Sequence, residues 1–306
     1  NLTSPKSTPR PSTSSINHPR AHPVNPSKLL AFVELIIANG FWGFGFVAVI
    51  WAYETWSWNQ IIFYRYLLAS VIGLVLVPLK KHSLKTLWEA FPVAFLLYST
   101  LAMQTYGLNT TTATKSGFIT VLYVVFVPLI EFFYRRKLSL GWLHFVLVFL
   151  ALLGVALISG VHQNGGINSG DLWTLACAIT AAGHIFYIGL KPIAEPFVFN
   201  LYQSFWVLAL SLPLFVFDHQ HGSVTYHAGL GLAALAFGGT LLAFWIMVRV
   251  QQVLSPSVAS LIYLVEAPMA LLFGWWFLKK KKNLVQSLGA GLIMVSCLIA
   301  IRYEKI

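Results

Sequence analysis

From Leu29 onward the chain is a succession of apolar runs separated by short polar breaks. Each run has about the 20 residues that a helix needs to cross a hydrocarbon core. Ten such runs lie near residues 30–52, 60–79, 90–108, 115–134, 140–160, 170–190, 197–217, 228–249, 256–278 and 284–302. They are continuous and lack the two-residue alternation of barrel strands, and lipid leaves helix as the other way to satisfy the backbone. The sequence predicts an all-α membrane protein of ten transmembrane helices. With 58% hydrophobic and 9% charged residues, it cannot cover a water-soluble surface, so the net charge of +11 is no sign of a nucleic-acid partner. The lipid bilayer is the partner that the composition demands.

Residues 1–28 hold six Pro, six Ser and three Thr, with Lys6, Arg10, Arg20 and Lys28 and no acid, which reads as a disordered cytoplasmic tail. An organelle transit peptide has the same basic, Ser-rich composition. Lys and Arg in the loops set the orientation. With the N-terminus in the cytoplasm, the tail, Lys80, Lys81, Lys85, Arg135, Arg136, Lys137, Lys191, Arg249, Arg302 and Lys305 fall inside, and both termini are cytoplasmic. Lys115 and the run Lys279 to Lys282 fall outside, and that run is the one violation. Cys177 and Cys297 lie within apolar runs as small buried hydrophobes, not as a disulfide framework.

The fourth and ninth runs align without a gap: Thr120, Tyr123 and Pro128 match Ser260, Tyr263 and Pro268, and Thr100 falls opposite Thr240. Each half then has five spans. An odd number makes two copies enter the membrane from opposite sides, the inverted-repeat plan of secondary transporters, with a site near the midplane.

Charge inside a membrane costs at least about 2.5–3.5 kcal/mol per group, so each such residue needs a partner or a role. Glu34, Arg65 and Glu131 lie near span ends and can reach the interface. Glu266 lies mid-span and cannot; it is either a carboxylate for a proton or a substrate amine, or the buried partner of a cation. In the sixth run Thr180, His184, Tyr187 and Lys191 share one helical face, and His184 is the histidine placed to relay protons or to serve as a buried hydrogen-bonding group. Tyr202, Gln203 and Trp206 cluster at helical spacing in the seventh run and suit an amphipathic or aromatic ligand. Substrate-cavity candidates are therefore Trp42, Tyr123, His184, Tyr187, Tyr202, Gln203, Trp206 and Tyr263, and proton-coupling candidates are Glu266, His184 and Glu34. Pro128 and Pro268 free the carbonyls of Val124 and Leu264 and are expected hinges. Asn39, Gly40, Gly43 and Gly45 around Trp42 permit close helix approach. The metalloprotease, nucleophile-elbow and phosphate-loop signatures do not occur, and the spacing of Asp218, His219, His221 and His227 fits no strong metal template. No enzyme activity, cofactor or metal is expected.

The stretches Gln104 to Leu108 and Thr112 to Leu129, the basic Arg135-Arg136-Lys137, Gly239 to Phe244, Gln251, Pro256 to Leu261 and Glu266-Ala267-Pro268 closely resemble EamA-type proteins of the drug/metabolite transporter superfamily. Arg65, in Tyr64-Arg65-Tyr66, matches the arginine usual in their second span. The resemblance implies ten helices as two inverted five-helix repeats, 29–160 and 169–303, joined by a linker at 161–168. It also implies a carrier of small organic solutes, often an exporter of amino acids or related metabolites, in a bacterial inner membrane; together with Glu266 and His184 the expectation is an exporter working by alternating access and coupled to protons. An uncoupled exchanger, facilitator or importer is the alternative, and a sensor or assembly partner without transport the reading from another class. One departure stands out: where the second repeat of that family ends in Gly-Glu-Arg-Leu, this chain has Lys279 to Lys282.

Overall fold

The computed structural model describes residues 26–78, 83–107, 109–136, 141–160, 167–218, 222–279, 281 and 283–303. The first 25 residues of the tail, residues 161–166 of the linker, His219, His221, Lys280 and Lys282 lie outside the described residues. The described residues form ten spans. These are α1 (Pro26–Ala52), α2 (Trp58–Leu76), α3 (Leu84–Gly107), the broken pair α4 (Ala113–Thr120) and α5 (Tyr123–Arg135), and α6 (Trp142–Ser159). The second half comprises α7 (Ser169–Ile188), α8 (Pro196–Val216), a three-part span, the broken pair α11 (Pro256–Tyr263) and α12 (Glu266–Phe277), and α13 (Leu284–Tyr303). The three-part span runs α9 (Tyr226–Ala234), a π-helix (Leu235–Leu242) and α10 (Ala243–Val250).

Short polar residues start these helices because the first amides have no intrahelical acceptor. Ser57 and Asn168 close capping boxes with Gln60 and Asp171. Thr112, Thr225 and Ser255 accept from the amide three residues on. Pro196 and Pro256 occupy first-turn positions, where a missing N–H is harmless.

The helix pairings come in exchanged sets. α7 packs on α3, α4 and α5, and α1 packs on α9, α10, α11 and α12; α2 meets α8, and α6 meets α13. Lipid supplies no hydrophobic drive between helices, so close backbone approach and polar bonds must hold them. The α6–α13 crossing shows the first: a Cβ on Gly154 would stand 2.5 Å from the Gly289 carbonyl oxygen, and a Cβ on Gly289 2.5 Å from that of Gly154. Gly289→Val is therefore expected to force the pair apart and lower stability by about 1–3 kcal/mol. A thermal melt of the detergent-solubilised variant checks this, and a midpoint equal to the parent's would contradict it.

Candidate substrate site

The fourth and ninth spans are both broken, at Val121–Leu122 and at Leu264–Val265. Between α4 and α5 the turn tightens, with Leu122 N–H on the Ile119 carbonyl at 3.1 Å and Val124 N–H on that of Val121 at 3.1 Å. Between α11 and α12, Leu264 and Val265 donate three residues back, and the Leu264 carbonyl takes the Ala267 amide at 3.1 Å. Pro268 accounts for the second break: it has no N–H for the Leu264 carbonyl four residues earlier, so the preceding amide takes its place. Pro128 lies within α5, and the break sits at Val121–Leu122, nearly two turns before it.

The two broken spans pack on one another chiefly through one half of each. α5 packs on α11, whereas α4 packs on α3, α6 and α7 and α12 on α1, α6 and α13. The helices thus close toward the end where α5 finishes and part toward the end where α4 begins. At the closed end Ser257 donates to Glu131 at 2.6 Å, and Glu131 pairs with Arg135 at 3.0 Å. Gln252 accepts from the Ile193 amide at 2.9 Å and donates to the Ile188 carbonyl at 3.4 Å. A Cβ on Gly189 would meet the Pro256 ring at 2.5 Å.

Glu266 opens α12 at the base of this parting and keeps some exposed surface although protein surrounds it. Arg65 of α2 is near enough for the two charges to act on each other. Arg65 does not run to the interface: its Nε donates to the Thr240 hydroxyl. Tyr123 stands within electrostatic reach of both Glu266 and Tyr263. Trp42 packs edge-on against Tyr263 at 5.6 Å and Phe244 at 5.4 Å, and its indole N–H donates to the Gly239 carbonyl at 3.1 Å. Asn39, on the same helix, donates to the Ile262 carbonyl at 3.2 Å, tying α1 to the end of α11. His184 is buried, meets Phe244 edge-on at 5.9 Å and shares a 3.0 Å hydrogen bond with Gln203.

Trp42, Tyr123, Tyr263 and Glu266 therefore gather in one place, with His184 and Gln203 joined to it through Phe244. The other candidates do not join them. The Tyr202 hydroxyl accepts from the Ser83 amide at 3.0 Å, at the start of α3. The Trp206 indole donates to the Leu87 carbonyl at 2.8 Å, and its rings meet Trp88 and Phe91 at 5.1 and 4.9 Å. Tyr187 is the exception, partly buried against the apolar cluster that also holds Trp42, Tyr123 and Tyr263. Glu34 pairs with Arg249 of α10. The polar stripe of the sixth span stops short, because α7 ends at Ile188 and Lys191 is exposed beyond it. Thr100, opposite Thr240 in the sequence alignment, instead bonds Thr180 at 3.0 Å. Asn200 and Thr240, which hydrogen-bond beside this group, were not singled out as site residues from the sequence. Two polar residues in apolar runs were the available signal.

Ten spans in exchanged pairings, with opposed charges at the base of a one-sided parting, define a multi-pass membrane protein of transporter build. The chain belongs to the EamA-like transporter family, whose model matches residues 29–160 and again 168–302. It is 30% identical over 279 residues to an uncharacterized transporter of Archaeoglobus fulgidus, covering 89% of this chain and 86% of that protein. A protein of known crystal structure, 15% identical, superposes with a TM-score of 0.71 over 91% of this chain and 99% of its own, and so shares the fold.

Proposed function

We propose that this transporter is a secondary carrier that exports a small organic solute, an amino acid or a related metabolite, by alternating access coupled to protons. The observation that carries the reading is the placement of Glu266 and Arg65 where the ninth span breaks and the two broken spans part. Opposite charges framed by Trp42, Tyr123 and Tyr263 suit a solute with polar and apolar parts. Glu266 carries the proton, and His184 and Gln203 complete the polar wall. The breaks near Pro128 and Pro268 are the hinges. The units 29–160 and 169–303 are inverted five-helix repeats joined by 161–168, so that the end now sealed opens as the other closes. We place the protein in a bacterial inner membrane with both termini in the cytoplasm, which makes the sealed end the cytoplasmic one.

Purified protein in vesicles loaded with a panel of radiolabelled amino acids tests this. Efflux of at least one, accelerated by an imposed proton gradient and slowed by its collapse, is expected. Flux indifferent to the gradient would replace coupling by exchange or facilitation, and no flux above protein-free vesicles would remove the amino-acid reading. The seal gives a separate prediction. Glu131→Leu removes the acceptor of the Ser257 hydroxyl, a charge-assisted bond of about 1.5–3 kcal/mol. With Cys177 and Cys297 replaced by alanine, a cysteine at buried Ser260 should then react about tenfold faster with an impermeant maleimide applied at the sealed end. Equal rates would show that this contact does not hold the end shut.

A further inference from the structure

The π-helix of the eighth span lies directly behind this site and is held by side chains from three other helices. Ordinary α-helical bonding is the default for an apolar span, and π-turns are rare and recur at functional sites. Ala243 N–H bonds the Gly238 carbonyl, five residues back. Where a helix returns from five-residue to four-residue bonding, one carbonyl is passed over. The carbonyl next after Gly238, that of Gly239, takes the Trp42 indole N–H at 3.1 Å. The following two, of Thr240 and Leu241, both take the amide of Asn200 at 3.1 Å. Asn200 is itself oriented by Gln203, which donates to its oxygen at 3.3 Å and meets His184 with its own.

Thr240 is the hub. Its hydroxyl donates to the Leu235 carbonyl at 2.9 Å, a five-residue reach that matches the π register, and accepts from Arg65 Nε. Gly239 leaves the room: a Cβ there would stand 3.3 Å from Arg65 Nη2. Thr240, Asn200 and Gln203 are fully buried, where an unmade hydrogen bond costs the whole desolvation of the group.

We propose that Thr240 and Asn200 are positioning residues: by holding the eighth span in its π register they set the Arg65 guanidinium within reach of Glu266 and the Trp42 indole against Tyr263. Were the segment to relax to α, residues beyond it would rotate by about 100° relative to those before it. Thr240 and the Gly239 carbonyl would then no longer face Arg65 and Trp42 together. The inference rests on the substrate reading above for its consequence, but its geometry can be tested without any substrate.

The full chain, labelled with ¹⁵N at arginine and tryptophan side chains and held in nanodiscs, gives the readout. Arg65→Lys and Trp42→Phe assign the two resonances. In the parent protein, Arg65 Nε–H should be shifted and protected from exchange; an unprotected signal would overturn the proposal with no mutant needed. Thr240→Val keeps the shape and removes the hydroxyl, and should speed Arg65 exchange by at least about tenfold. Thr240→Ser should restore protection, and failure of that rescue would make the role one of packing. Asn200→Asp, which keeps the acceptor and loses the donor, should move the Trp42 indole signal without touching Trp42; an unmoved signal counts against the linkage. Flux separates the two layers. If Arg65→Lys transports like the parent, the substrate reading fails while the spectra stand. If it does not and Thr240→Val matches the parent in spectra and flux, the positioning role fails.

Discussion

Glu266→Gln is expected to lose gradient-driven solute accumulation by about tenfold or more while exchange of solute for solute survives. The substitution keeps the size of the side chain and removes its charge, so only a step that needs a proton on the carboxylate is touched. The start of α12 and the Arg65 guanidinium both place positive charge at Glu266, which keeps some exposed surface. In the proposed cycle this carboxylate takes up its proton on one side and, once the seal has moved, releases it on the other. The competing role is structural, with Glu266 serving only to neutralise Arg65. Removing a partner from a buried pair costs about 3–5 kcal/mol, and that role predicts a poorly expressed variant. Because Arg65 is already held by Thr240, we expect the variant to fold. Parent-like expression with parent-like gradient dependence would defeat both roles.

The fold was legible because membrane helices announce themselves by length. The runs read from sequence agree with the described spans to within a few residues apart from the third, which starts earlier, at Leu84. Helix breaks were less legible. Pro268 marks its break because a proline disturbs the carbonyl four residues earlier, but the same rule at Pro128 points to Val124, and the turn lies at Val121–Leu122. The π-helix gave no sequence signal, since Leu235 to Leu242 is an ordinary apolar run with Gly-Gly-Thr inside it. Its carbonyls and its Thr240 hydroxyl are met by Trp42, Asn200 and Arg65 from other helices, tertiary contacts that periodicity cannot carry.

The candidate site divided in the same way. Glu266 stood out from depth alone, because a short acidic side chain in mid-span has nowhere else to go. Arg65 was ambiguous, since its long stem permits an interfacial reading and only the Thr240 contact shows it turned inward. Tyr202 and Trp206 were grouped with Gln203 by helical spacing, yet spacing fixes a face and not a depth. Gln203 meets His184, whereas the other two serve the start of α3.

Lys115 illustrates the point most sharply and supports the second large effect. Read from sequence it is a loop charge, yet its ammonium lies 2.6 Å from Asp171 at the start of α7, with side chains 11% and 6% exposed. Asp171 also accepts from the Thr111 hydroxyl and from the Asn168 amide at 3.0 Å, so both its oxygens are used. Gly107 and Gly170 make the approach possible, since a Cβ on Gly107 would stand 2.8 Å from the Gly170 carbonyl oxygen. The pair therefore fastens the α3–α4 connection to the sixth span at the end where α4 begins. Asp171→Leu takes the carboxylate from a largely buried ammonium, and should destabilise the protein by about 3–5 kcal/mol. Lys115→Met together with Asp171→Leu should be markedly more stable than Asp171→Leu alone, because no charge is then left without its partner. Thermal or denaturant unfolding of the parent, the two single variants and the double variant measures the coupling. A coupling below about 1 kcal/mol, the range of exposed pairs, would show that water screens this contact and that the glycine approach alone holds the connection.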